Sequence, residues 1–264
     1  MANKNWMADA DARPARPIIR KIGSADLRDA LANGIDDFKA KPSHIVLLVI
    51  IYPIIGFFLI RLSAGYDVLP LVFPLFAGFA LIGPLAAVGL YELSRRREQG
   101  LDFSWWHAFD PFRSPSIGAI MALGIVQLAL YFAWLSVALA VYQLTFGNAE
   151  PESIAEFARQ VFTTPSGWAL IVVGCGIGFL FAVVVLAVSV VSFPLLLDRD
   201  VGAVVALQTS VKSVLANPIT MAKWGLIVAG ALVIGCLPFF FGLAVVMPVL
   251  GHATWHLYRK VVEP

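Results

Sequence analysis

From Trp168 to Leu197 the sequence carries no Asp, Glu, Lys, Arg or His. As a single α-helix that run would reach roughly 45 Å, longer than the roughly 30 Å hydrocarbon core of a bilayer. Three further apolar runs cover residues 43–60, 68–91 and 117–142, each near the ~20 residues that a helix needs to cross a membrane. Several such runs in one chain exclude an ordinary soluble domain. The composition agrees: 59% of the 264 residues are hydrophobic and 14% charged, against about 45–50% and about 25% in soluble domains. The net charge of +2 gives no basis for a nucleic-acid partner. Cys175 and Cys236 both lie inside apolar runs and read as small packing residues.

The first apolar run begins only after some forty polar residues, too far along for a secretory leader. The chain is therefore expected to insert by its own helices. Residues 1–24, with Pro14 and Pro17, read as an irregular, flexible cytoplasmic N-terminus, followed by a single membrane domain over 25–262. Leu27, Leu31, Ile35 and Phe38 recur at helical spacing while Asp26, Asp29, Asp36, Asp37 and Lys39 take the other faces. This pattern predicts an amphipathic helix on the membrane surface, ended by Pro42. A second surface helix is expected after Asp198-Arg199-Asp200, with Val201, Val204, Val205, Val211, Val214 and Leu215 on its apolar side. A short amphipathic helix is expected over 152–162.

The last apolar stretch, from Pro218 to about Tyr258, is twice the length of one span. Gly235 and Pro238 place breakers at its middle, and an internal duplication supports reading it as a hairpin. Ala30-Leu31, Gly34-Ile35, Phe38 and Ala40-Lys41-Pro42 align without gaps on Ala206-Leu207, Ser210-Val211, Val214 and Ala216-Asn217-Pro218. Pro74, Phe76, Gly78, Pro84, Leu93 and Arg95-Arg96 align in the same way on Pro238, Phe240, Gly242, Pro248, Leu257 and Arg259-Lys260. The expected fold is thus an all-α, polytopic transmembrane bundle with a same-orientation repeat and six spans, the last two over 219–236 and 238–258. With the N-terminus inside, 17 of the 19 Lys and Arg fall on one side, leaving only Arg61 and Arg159 outside. That asymmetry predicts both ends in the cytoplasm.

Chemistry-bearing groups are sparse. The first four spans hold no Asp, Glu, Lys or Arg in their cores, which argues against a charge-relay transporter. Gln127, the one mid-span amide, is expected to hydrogen-bond a neighbouring helix. His252 and His256 are four residues apart and share a helix face, and His44 lies at the same membrane level. Together they are the candidates for a haem or metal site, weighed against interfacial histidines in an aromatic belt with Trp255 and Tyr258. No cysteine or carboxylate cluster has ligand spacing, so no metal and no cofactor is expected. Gly-rich phosphate loops, catalytic triads and paired catalytic carboxylates are missing, so no catalytic residue is assigned. Gly174 and Gly178 suit a close helix contact. The cluster Trp105-Trp106-His107 and Phe109-Asp110-Pro111-Phe112 reads as a loop anchored among lipid headgroups, or as a docking surface for a partner.

Three segments carry a resemblance: Phe76–Gly100 with its Gly-Pro and Tyr-Glu-Leu-Ser-Arg-Arg motifs, Phe193–Pro218 with Phe-Pro-Leu-Leu-Leu-Asp-Arg-Asp, and Pro248–Arg259 with Gly-His-Ala-Thr-Trp-His-Leu-Tyr-Arg. Over about 25–262 the chain resembles a family of bacterial integral membrane proteins built on a domain of unknown function, some members of which are labelled as a cytochrome c oxidase subunit. The resemblance implies a multi-pass protein of the bacterial cytoplasmic (inner) membrane and supplies no catalytic residues. Its spans show no buried haem or copper ligand set, so the catalytic oxidase subunit is not the reading. The leading expectation is a non-enzymatic accessory, assembly or scaffolding component of a membrane complex, with lipid and a membrane-complex protein as partners. The alternatives are a transporter or lipid-handling protein and, more weakly, a haem- or metal-binding protein.

Overall fold

A computed structural model describes residues 17–41, 66–148, 151, 153–238 and 240–263. The expected first span, 43–60, and His44 lie outside the described residues. Helix α1 spans Ser24–Ala40; a 3-10 turn over Tyr66–Leu71 leads into α2, Val72–Ala86, and α3, Val88–Glu98. A second 3-10 segment, Trp105–Arg113, precedes α4, Ile117–Phe146, and α5, Ile154–Thr163. Then follow α6 (Pro165–Ser189), α7 (Ser192–Asp198), α8 (Ala203–Ala216), α9 (Pro218–Cys236) and α10 (Leu243–Val261).

Four of these segments are long and apolar enough to cross a membrane: Leu69–Glu98, Ile117–Phe146, Pro165–Asp198 and Pro218–Cys236. Two of them are interrupted near a proline. Pro84 lies in the last turn of α2, and the helix resumes after Ala87 as α3. Pro194 lies in α7, just past a break at Val190–Val191. There the backbone N–H of Val191 donates to Ser210 Oγ at 3.2 Å, so α8 satisfies a group that the break leaves free.

The apolar tail folds back on itself. Helix α9 ends at Cys236 and α10 begins at Leu243. A Cβ on Gly242 would lie 2.7 Å from the Gly235 carbonyl oxygen, so the turn closes as tightly as only glycine permits. The second arm is not among the four membrane-crossing helices: its C-terminal half carries His252, His256, Arg259 and Lys260.

The two surface helices are present, and each turns a row of mostly small and polar residues into the protein. In α1 the buried positions are Leu27, Ala30, Gly34 and Asp37, while Ile35 is exposed. In α8 they are Ala206, Thr209, Ser210 and Ser213, while Val204 and Leu215 are exposed. Leu27 aside, small and polar residues make up the buried rows, while Ile35, Val204 and Leu215 turn outward. In a bilayer, lipid tails solvate Leu and Val as well as a protein core does, and close helix contact selects small residues. Gly34 makes this concrete: a Cβ there would lie 2.6 Å from the backbone nitrogen of Ala253 in α10.

The segment before α1 is partly ordered by the C-terminus. Ile19 and Val262 form an antiparallel bridge, the Arg20 N–H donates to the Val261 carbonyl at 2.7 Å, and the Glu263 N–H donates to the Ile18 carbonyl at 3.0 Å. Of the stretch 1–24 expected as an irregular N-terminus, residues 1–16 lie outside the described residues, and Ile18–Arg20 pair with the C-terminal segment.

Candidate functional site

The close approach of α1 and α10 at Gly34 brings the next turn of α1, with Asp37, beside His252 and His256. These histidines lie four residues apart on α10 and face α1 together. Helix α3 supplies Ser94 and Arg97, three residues apart. His256 Nε2 lies 2.8 Å from Asp37 Oδ2, and the Ser94 hydroxyl donates to the same oxygen at 2.5 Å. Arg97 forms an ion pair with Asp37 Oδ1. His252 Nδ1 lies 2.8 Å from Ser94 Oγ and 3.9 Å from Asp37 Oδ2.

Proton counting fixes the donors in this cluster. Ionised Asp37 can only accept, so the single Ser94 proton goes to the carboxylate and Ser94 Oγ accepts from His252 Nδ1–H. His256 must carry its proton on Nε2 for the same reason. Burial pushes the Asp37 carboxyl up. The hydrogen bonds from His256 and Ser94 and the charges of His256 and His252 outweigh that effect and hold it below its ordinary value. The cluster contains Ser, His and Asp, yet its polarity is the reverse of a nucleophile and base. In a nucleophilic triad the serine proton points to the histidine. Here it points to the carboxylate, and Ser94 is 1% exposed.

A second polar layer lies beside the first. Glu98 accepts from Trp255 Nε1 at 2.9 Å and from Arg259 Nε at 3.0 Å. Asp198 accepts from the Tyr258 hydroxyl at 2.5 Å and from Arg259 Nη1 at 3.3 Å. Trp255 and Tyr258 are thus buried and hydrogen-bonded inside the protein, not arrayed as the expected interfacial belt. The acids of α1 join in through Lys260, which reaches Asp29 at 3.0 Å.

The 3-10 segment Trp105–Arg113 divides its side chains. His107 turns inward to Asp110 at 2.7 Å, and Asp110 pairs with Arg96 at 3.2 Å. Trp106, Phe109 and Phe112 are exposed. Among the described residues no three His, Cys, Asp or Glu side chains are arranged to hold a metal ion.

In the spans, Gly178 packs within the chain: its Cβ position lies 3.0 Å from the Trp134 ring, whereas that of Gly174 has nothing within 4 Å. Trp134 donates from Nε1 to the Pro74 carbonyl at 2.9 Å. Among the described residues the hydrogen bond expected from Gln127 to a neighbouring helix is not made: its side chain is 1% exposed, and neither amide atom has a partner there. Cys175 is exposed instead of packed.

Asp37 was the residue that sequence reading missed, having placed it on a solvent face. The available signal was its register: Ala30, Gly34 and Asp37 recur at i, i+4 and i+7, a small-residue stripe ending in an acid.

Among the described residues four helices are long and apolar enough to cross a membrane, which defines an integral, multi-pass α-helical membrane protein. Residues 72–198 match the sequence model of a family described as "Predicted integral membrane protein (DUF2189)", a domain of unknown function. No curated protein and no solved structure matches the chain.

Proposed function

We propose that this chain is a non-catalytic, six-span component of the bacterial cytoplasmic (inner) membrane, with both termini inside, that serves as an accessory, assembly or scaffolding subunit of a larger membrane complex. The observation that carries this reading is the bare surface of Pro165–Asp198, where only 6% of the most apolar stretch is buried. Trp168, Val172, Phe179, Leu180 and Val184 are exposed along it, beside the uncovered backbone at Gly174 and Gly176. A helix packed so little against its own chain offers a flat, glycine-interrupted face to a partner helix.

The six-span topology draws support from contacts at one end of the bundle. Arg97 pairs with Asp37, Arg259 with Glu98 and Asp198, and Lys260 with Asp29. The basic segments assigned to the inside thus touch one another. The duplication draws support from burial: the aligned pairs Ala30 and Ala206, Gly34 and Ser210, and Asp37 and Ser213 are all buried. The aligned rings of Phe76 and Phe240 stack with centroids 5.0 Å apart.

The experiment is cross-linking mass spectrometry on native bacterial membranes with a photoreactive residue at Gly174 or Val172, followed by purification in mild detergent. A reproducible adduct to one membrane protein, a respiratory subunit being the first to seek, is the expected result. A monomer cross-linked to lipid alone would overturn the proposal.

A further inference from the structure

A groove of about 290 Å³ runs between the first two turns of α1 and the second and third turns of α9. Its floor is Leu27, Leu31, Leu226 and Ile227, and its rim is Ser24, Arg28 and Lys223. That volume is near the lower end of ligand clefts, enough for part of one hydrocarbon chain. The floor opens on an exposed apolar side of α9, where Ile219, Leu226 and Val233 are all exposed.

The rim is cationic. Lys223 donates to Ser24 Oγ at 2.9 Å. The acids nearest Arg28 in sequence, Asp26 and Asp29, are turned toward Lys260, at 3.9 and 3.0 Å. Among the described residues neither Arg28 nor Lys223 has a carboxylate partner. Lys21 lies close by, bonded to the Ala216 carbonyl. The rim lies at the N-terminus of the span that begins at Pro218, the end at which the chain's basic residues gather. An apolar trough open to hydrocarbon, with two uncompensated cations and a hydroxyl at headgroup level, matches the chemistry of one molecule class.

We propose that this groove is a binding site for an anionic phospholipid, with an acyl chain along Leu27, Leu31, Leu226 and Ile227 and the phosphate between Arg28, Lys223 and Ser24. The site needs no protein partner and goes beyond the scaffolding reading.

The test uses the full chain, purified and exchanged into detergent with equal phosphatidylglycerol and phosphatidylcholine, and native mass spectrometry to count retained lipid. Phosphatidylglycerol is retained preferentially, and each of R28Q and K223Q lowers that preference about fivefold, following the attraction of one surface charge. L226W fills the trough, leaves both cations in place and also lowers retention. R113Q removes a cation from the same side of the membrane and leaves the preference unchanged. Three results would overturn the site: equal retention of the two lipids, no change in the R28Q/K223Q double variant, or an equal loss in R113Q. Displacement of the lipid by millimolar inorganic phosphate would mark a simple anion site and overturn it as well.

Discussion

His256 Nε2 and Asp37 Oδ2, 219 residues apart in sequence, meet at 2.8 Å between α10 and α1. The contact closes a carboxylate that also accepts from Ser94 and Arg97, on a side chain 6% exposed. Removing the charge weakens the acceptor that His256, Ser94 and Arg97 share. Asp37→Asn is therefore expected to destabilise the protein by about 3 kcal/mol, the usual cost of breaking a buried, hydrogen-bonded charge pair. Thermal unfolding in detergent checks the value. If Asp37→Asn melts within a degree of the parent, the cluster contributes nothing to stability.

The same carboxylate makes stability depend on acid. Its value in the folded protein lies below the ordinary one, so the folded state binds its proton less readily than the unfolded chain. The stabilisation is complete above the unfolded value of about 4 and is lost as pH falls from there through the depressed folded value. Other carboxylates titrate in that range, so the observable is a difference. The melting temperatures of the parent and Asp37→Asn should converge as pH falls below about 4. A gap that stays constant down to the lowest pH would contradict this.

Gly34 sets how closely α1 can approach α10. A Cβ would meet the backbone nitrogen, Cα and Cβ of Ala253 at 2.6 to 2.8 Å, and a backbone cannot swing aside as a flexible side chain can. Gly34→Ala is expected to cost about 1–3 kcal/mol through overpacking, and Gly34→Val more. Because Asp37 lies one turn further along α1, both variants should also separate Asp37 from His256. Disulfide trapping between cysteines placed at 33 and 253 reports that separation directly: fast cross-linking in the parent background and slow cross-linking in Gly34→Val.

The proposed topology is open to reporters. A phosphatase fusion after Pro264 should be inactive and a fluorescent one bright, both marking the cytoplasm. A phosphatase inserted at Gly147, in the turn after α4, should be active on the opposite side. An active phosphatase at the C-terminus would leave α10 on the far side and remove the sixth crossing.

The membrane spans were legible because hydropathy fixes them: residues 117–142 were expected where Ile117–Phe146 stands, and 168–197 where Pro165–Asp198 stands. The hairpin turn was legible in Gly235 and Pro238. Burial was not. Periodicity marks the side of a helix that avoids water, and a bilayer offers that side two destinations, lipid or protein. Leu215 is 73% exposed, while Ser210, on the same helix, is fully buried. The histidine pair was visible as an i, i+4 repeat, but its partner Asp37 was not. An acid looks solvent-facing in sequence until the contact that neutralises it is known, and that contact lies 219 residues away.

Gln127 gives the opposite prediction to Asp37. Both are buried polar groups, yet Asp37 is fully bonded while Gln127 has no partner for either amide atom among the described residues. A buried amide without hydrogen bonds costs about 1–3 kcal/mol relative to a partner-free apolar side chain. Gln127→Met keeps nearly the same length and shape and removes only the polar atoms, so it should raise stability by about 1–2 kcal/mol. Gln127→Ala opens a cavity where a side chain was 1% exposed, and it should lower stability instead. Unfolding of both variants in one detergent separates the terms: Met above the parent and Ala below it. A Met variant that melts lower than the parent would mean that the amide is engaged in the native membrane by a group beyond the described residues.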